Sequence, residues 1–172
     1  MAGGSLRFEP GATRPQPRPP PGRWSRTEAQ THRVHRTPRE GSMQTAGVDL
    51  YVNHPVMALG SPDWISTDLK LAGAPAASND THVLVRVQPQ TALIRVRLFQ
   101  DHGESIAVGP SFTTVFDGSL YLADRRFVIG DVMGESRFIK YIGGPQRWRV
   151  RVAVDDPKGH ARAADVVLGA EG

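Results

Sequence analysis

The chain contains no cysteine, which excludes a disulfide framework and any thiolate-bound metal. That fits a reducing compartment, and the location expected from it is the cytoplasm. No stretch reaches the roughly eighteen apolar residues that a membrane-spanning helix needs. The N-terminal MAGGSLRFEP has no apolar block behind a basic start, so it does not read as a secretory signal. Without such a signal, the Asn79-Asp80-Thr81 sequon carries little weight. Neither an internal repeat nor a long amphipathic helical period is present. Lysine is scarce, three residues against eighteen arginines, a bias typical of GC-rich genomes.

What is present divides at about residue 43. Residues 1–42 hold eight arginines against three glutamates, net +5, while the remainder holds thirteen basic and fourteen acidic residues, net −1. The basicity of the whole chain therefore belongs to its first 42 residues. Pro15, Pro17, Pro19, Pro20 and Pro21 favour polyproline II and remove backbone donors. Leu6, Phe8, Trp24 and Val34 are too few to offset the entropy of ordering the segment. Residues 1–42 are expected to be a disordered basic tail, with Met43 as an alternative start. If translated, scattered arginines beside Trp24 could hold a phosphate backbone and stack on a base.

Residues 43–172 have the size of a single domain with one core. Alternation of apolar and polar residues marks strands at Val48–Val52 and Val56–Leu59. The intervening Asn53-His54-Pro55 points to an edge or a bend. Ile65–Leu71, inside a Pro-containing loop region, is a candidate for one helical turn. In His82–Val87, Val83, Val85 and Val87 share a face opposite Arg86. In Leu93–Phe99, Ile94, Val96 and Leu98 point inward, with Arg95 and Arg97 outward. Gln88-Pro89-Gln90 between them reads as a turn or bulge. Phe112–Phe116, Asp117-Gly118 and Ser119–Leu122 read as a hairpin closed by a type I′ turn, because Asp-Gly tolerates the positive φ angles required. Further strands are expected at Phe127–Ile129, Phe138–Ile142, Trp148–Val154 and Ala163–Leu168, the last two joined by the turn Asp155–Gly159. In Trp148–Val154 the residues Trp148, Val150, Val152 and Val154 face inward, with Arg149 and Arg151 outward. Eight or nine short strands at this spacing predict an all-β fold, an antiparallel β-sandwich or a partly open barrel.

The segment from Gly118-Ser119-Leu120-Tyr121-Leu122 through Gly143-Gly144-Pro145 to Trp148-Arg149-Val150-Arg151-Val152 resembles small uncharacterised all-β proteins of actinobacteria. It covers about a third of the chain and consists of ordinary strand letters. The resemblance implies the fold and, for some proteins of this look, a role as an inhibitor or immunity partner of toxins and nucleases. It transfers no catalytic residue.

Candidate chemistry is sparse. Asp101-His102-Gly103-Glu104 packs three possible metal ligands into four residues, and a metal-dependent enzyme with a site near His102 and Glu104 is one reading. Neighbouring positions on a turn point apart, however, and Asp and Gly are ordinary turn residues there. His54, His82 and His160 are scattered and read as solvated or capping. Ser105 and Ser111 lack a G-x-S-x-G elbow. Gly130-Asp131-Val132-Met133-Gly134 lacks the spacing and the Lys-Ser/Thr of a phosphate loop and reads as a plain loop. Asp124, Asp131 and Glu135 near it could form an acidic rim. No catalytic residue, metal site or cofactor is assigned.

Arg86, Arg95, Arg97, Arg147, Arg149 and Arg151 all stand opposite aliphatic positions. If their strands pair, they form an exposed basic stripe suited to carboxylates or phosphates. The plain alternative is that antiparallel sheets carry charge on their wet face anyway. The function expected is a non-enzymatic protein-binding module of inhibitor or immunity type, with Arg95, Arg97, Arg149 and Arg151 as contact residues. The partner is another protein; nucleic acid enters only through residues 1–42.

Overall fold

The computed structural model describes residues 42–88, 93–101 and 108–171. Ten strands follow in chain order: β1 (Ser42–Tyr51), β2 (Val56–Gly60), β3 (Ala76–Ser78), β4 (His82–Arg86) and β5 (Leu93–Asp101), then β6 (Thr113–Tyr121), β7 (Arg126–Asp131), β8 (Arg137–Tyr141), β9 (Arg147–Val154) and β10 (Ala163–Ala170). They form two five-stranded sheets. The first has the order β1-β5-β10-β9-β6 and the second β3-β4-β2-β7-β8. Neither closes on itself, so the fold is an all-β sandwich rather than a barrel. The tail expected over residues 1–42 falls almost wholly outside the described residues, as do Pro89-Gln90 and most of the Asp101–Glu104 segment.

The alternation read from the sequence points each strand's apolar side into the interface between the sheets. Leu50, Ile94, Val96, Leu98, Leu120, Trp148, Val150, Val152, Val154, Ala164, Val166 and Leu168 come from the first sheet. Met57, Leu59, Val83, Val85, Phe127 and Ile129 meet them from the second. A period of two residues buries one face of every strand, and burial of that face is the main favourable term. The Trp148 indole is buried among these side chains, and its N–H still donates to Pro145 O at 2.8 Å. That bond avoids the cost of a buried unsatisfied donor.

Four expectations are corrected. The Asp117-Gly118 pair does not turn the chain: β6 runs straight through it, with Asp117 opposite Arg151 and Gly118 opposite Val150 of β9. Asp117 is engaged across the ladder by two arginines, and Gly118 has no positive φ; a Cβ there would lie 2.8 Å from Phe116 Cζ. The glycine makes room for a ring rather than for a turn. Secondly, the edge applies to β1 alone: the bend at Asn53-His54-Pro55 is present, but β2 sits between β4 and β7. Asn53-His54-Pro55 carries the chain from the first sheet to the second, and Pro55 O accepts from Val87 N–H at 3.0 Å outside the ladder. Thirdly, residues 65–71 hold no helix. Ser66 forms a turn in which its carbonyl accepts from Leu69 N–H at 3.1 Å and its hydroxyl from Asp68 N–H at 3.3 Å, the local side-chain bonding that competes with helix.

The fourth correction concerns pairing. Among the described residues every ladder is antiparallel except one: β10 runs parallel to β5 while hairpin-paired with β9. This insertion of the last strand between β5 and β9 positions the charged face described next.

Candidate binding face

Since β10 lies between β5 and β9, the outward residues of three strands share one surface. Arg95 and Arg97 come from β5, Asp165 from β10, and Arg147, Arg149 and Arg151 from β9. Arg86 does not join them, because β4 belongs to the second sheet. The four arginines expected to act as contacts are therefore brought together, along with Arg147 from the wider group of six.

The face is not the basic stripe that the spacing suggested. Asp49 lies opposite Arg95 in the β1–β5 ladder and accepts from its Nε at 3.2 Å. Asp165 lies opposite Arg97 and accepts from Nε at 2.7 Å and Nη2 at 2.6 Å. Asp117 accepts from Arg149 Nε at 2.9 Å and Nη2 at 3.2 Å, and from Arg151 Nε at 3.2 Å. At one end, Arg147 Nη1 donates to Asp80 at 3.0 Å while its guanidinium lies 5.8 Å from the centroid of Tyr121. The result is a lattice of alternating sign. Like charges directly opposite one another would destabilise the ladders, and these registers avoid that.

The members differ in kind. Arg97 is the most constrained: beyond its fork to Asp165 it stands 5.6 Å from the Phe99 ring and 5.5 Å from the Phe112 ring. The hydrogen bond that it donates to Asp165 is the main cause that raises its pKa, against an opposing contribution from burial. Arg95 and Arg149 are the open members, with side chains 73% and 61% exposed. Hydrogen bonding by Arg149, then by Arg151, holds the Asp117 carboxyl below the usual aspartate range, against desolvation. Gly47, opposite Arg97, carries no side chain; a shallow depression there is lined by Gln44, Val48, Asp49, Arg95 and Arg97.

The carboxylates were not singled out from the sequence. Asp165 carries the one visible signal, a lone acid inside the apolar run Ala164-Asp165-Val166-Val167-Leu168. Such a residue needs a partner when buried.

Elsewhere the polar candidates serve the fold. His82 is buried, with Nδ1 2.8 Å from Thr81 Oγ1 and Nε2 3.0 Å from Ser61 O. Asn79 Oδ1 accepts from the N–H groups of Thr81 and His82, so the sequon is a turn device. Asp131 caps the β7–β8 turn by accepting from Glu135 N–H at 3.1 Å and Ser136 N–H at 2.9 Å. Asp124 pairs with Arg126 and Glu135 with Asn53, so each acid of the expected rim has its own partner. Among the described residues, no three His, Asp or Glu side chains group as metal ligands. His102 and Glu104 lie outside those residues. No helix among the described residues is long and apolar enough to cross a membrane.

No protein-family model matches the sequence, and no curated protein matches it. Two solved structures do resemble the fold. The crocagin biosynthetic gene J product aligns with a TM-score of 0.50 at 12% identity, over 76% of this chain and 99% of its own. ComJ from Bacillus subtilis, described as an inhibitor of the DNA-degrading activity of NucA, aligns with a TM-score of 0.55 at 12% identity, over 76% of this chain and 98% of its own. At that identity the likeness is one of fold: this chain carries nearly the whole architecture of ComJ on a different sequence.

Proposed function

We propose that this protein is a non-enzymatic binding module that acts on another protein in the manner of an inhibitor, through the outer face of its first sheet. The observation that carries the reading is the Arg/Asp lattice: an array of largely exposed guanidinium groups, each paired with an aspartate and held in register by five ladder-bonded strands. Such an array is pre-organised, so little side-chain entropy is lost when a partner docks. Arg95 and Arg149 commit part of each guanidinium to an aspartate and leave further N–H donors to solvent, free to fork onto partner carboxylates. Arg97 and Arg151 flank them and fix the register of the array. Charge alternation of this sort favours specificity and approach rate over raw affinity. The fold likeness to a nuclease inhibitor supports a nuclease as the kind of partner to test first.

The test uses the purified full chain added to an extract of its native cell, with degradation of linear DNA followed over time. Suppressed degradation, restored by the double variant Arg95→Ala/Arg149→Ala, supports the reading. Both side chains are well exposed and their ion pairs are screened by solvent, so the variant should fold normally. Undiminished degradation, together with no partner retained at equimolar amounts, overturns it.

A further inference from the structure

We propose that the protein self-associates as a two-fold symmetric dimer by antiparallel pairing of β8 with β8 of a second copy, centred on Ile139. Among the described residues four strands are edges: β1 and β6 in the first sheet, β3 and β8 in the second. Open edges invite pairing, and proteins blunt them by bulges or by keeping them short. β1 and β6 each carry a register break, at Gln44/Ala46 and Thr114/Phe116, and β3 is three residues long. β8 has neither protection; its five residues pair with β7 without a break.

The direction of its free backbone groups follows from the ladder. Ile142 N–H donates to Arg125 O at 3.0 Å, and Asp131 N–H donates to Ser136 O at 3.0 Å. Hydrogen-bonded and non-bonded pairs alternate along an antiparallel ladder. Between those two bonded ends, the pairs Arg126–Tyr141, Val128–Ile139 and Gly130–Arg137 are therefore the non-bonded ones. The N–H and C=O groups of Arg137, Ile139 and Tyr141 consequently point away from β7, toward the open edge. Their side chains share the outer face, where Ile139 is 50% and Tyr141 66% exposed.

The sequence of β8 is self-complementary in one register. With Ile139 on the two-fold axis, each Arg137 lies opposite the other copy's Tyr141, and each Phe138 opposite the other copy's Lys140. No like charges meet. The Arg–Tyr pairing is one the chain already uses, since Arg147 stands opposite Tyr121 with its guanidinium 5.8 Å from the ring centroid. Val128 lies beside Ile139 on the same face, so the axis carries an apolar row of four side chains, two from each copy. Arg137 has no carboxylate partner among the described residues to compete for it. A lysine on an edge strand normally deters pairing, but Lys140 is half-buried and drawn toward the first sheet, where its Nζ donates to Thr45 O at 3.5 Å. An isologous contact of this kind closes on itself and does not propagate into fibres.

The cysteine-free chain makes the register directly testable. In a hydrogen-bonded antiparallel pair the Cα atoms sit about 5.5 Å apart, inside the range that a disulfide spans. The full chain carrying Ile139→Cys should form a covalent dimer under mild oxidation, whereas Tyr141→Cys, placed opposite Arg137, should not cross-link. In parallel, sedimentation equilibrium of the unmodified chain should show a doubled mass that Ile139→Arg returns to that of one chain, with an unchanged far-ultraviolet circular dichroism spectrum and a melting temperature that no longer rises with concentration. A wild-type chain that is monomeric at every concentration overturns the proposal and leaves the edge to a strand from another protein. A dimer that Ile139→Arg does not dissociate, or equal cross-linking at positions 139 and 141, overturns it as well.

Discussion

Arg97 holds the carboxylate of Asp165 in a two-bond fork, 2.7 Å at Nε and 2.6 Å at Nη2, across the parallel ladder between β5 and β10. The carboxylate is 1% exposed and the guanidinium side chain 40%. The acid is thus buried under its partner, with one further donor nearby, Gly109 N–H at 3.4 Å. Removing the arginine leaves that charge without its main partner. Arg97→Ala should therefore destabilise the fold by about 3 kcal/mol, the lower end of the range for a broken buried pair, because the arginine itself is partly solvated. Urea unfolding checks this. The double variant Arg97→Leu/Asp165→Leu should recover much of the loss, since no buried charge then remains.

Asp117 predicts a pH dependence. Its carboxyl is held below the ordinary aspartate range chiefly by the hydrogen bond from Arg149, and also by Arg151. A group whose folded pKa is depressed stabilises the fold above its unfolded value, near pH 4, and loses that contribution as pH falls through the folded value. Stability measured from pH 6 downward should fall in this acid window. Asp117→Asn should flatten that part of the curve and lower stability at neutral pH.

Gly118 and Phe116 should show coupling rather than additive effects. A methyl group at position 118 would stand 2.8 Å from Phe116 Cζ, so Gly118→Ala forces the ring to move and should cost about 1–2 kcal/mol. Combined with Phe116→Leu, the alanine should cost less than it does alone. Equal costs in both backgrounds would mean that the glycine is needed for its backbone and not for the ring.

Gly60 should tolerate nothing larger. Its φ is +140°, and a Cβ would lie 2.1 Å from the backbone oxygen of Thr81, which has no rotamer with which to give way. Gly60→Ala should cost about 3 kcal/mol or more, read from thermal or urea unfolding. The neighbouring Ser61–His82 contact should loosen with it, visible as faster amide exchange at Ser61, whose N–H donates to Thr81 O at 3.0 Å.

Much of the fold was legible in the sequence because a strand's side chains alternate. Val83-Val85-Val87, Ile94-Val96-Leu98 and Trp148-Val150-Val152-Val154 announced both their strands and their buried faces, and the outward positions of Arg95, Arg97, Arg149 and Arg151 followed by default. Local chemistry misled where a residue pair had two uses: Asp117-Gly118 is good turn chemistry, yet here the aspartate binds two arginines and the glycine admits a ring. Alternation says which face a residue occupies but nothing about which strand lies beside it. The placement of β10 between β5 and β9 is a long-range pairing, set by how two sheets close over one core. That placement put Asp165 under Arg97 and gathered five arginines onto one face, while the pairing of β4 with β2 and β3 keeps Arg86 in the other sheet. The sequence by itself determined strands, core and charge; only the tertiary structure decided that each exposed cation of that face would meet an anion, because ion pairs across a sheet depend on register and neighbour order.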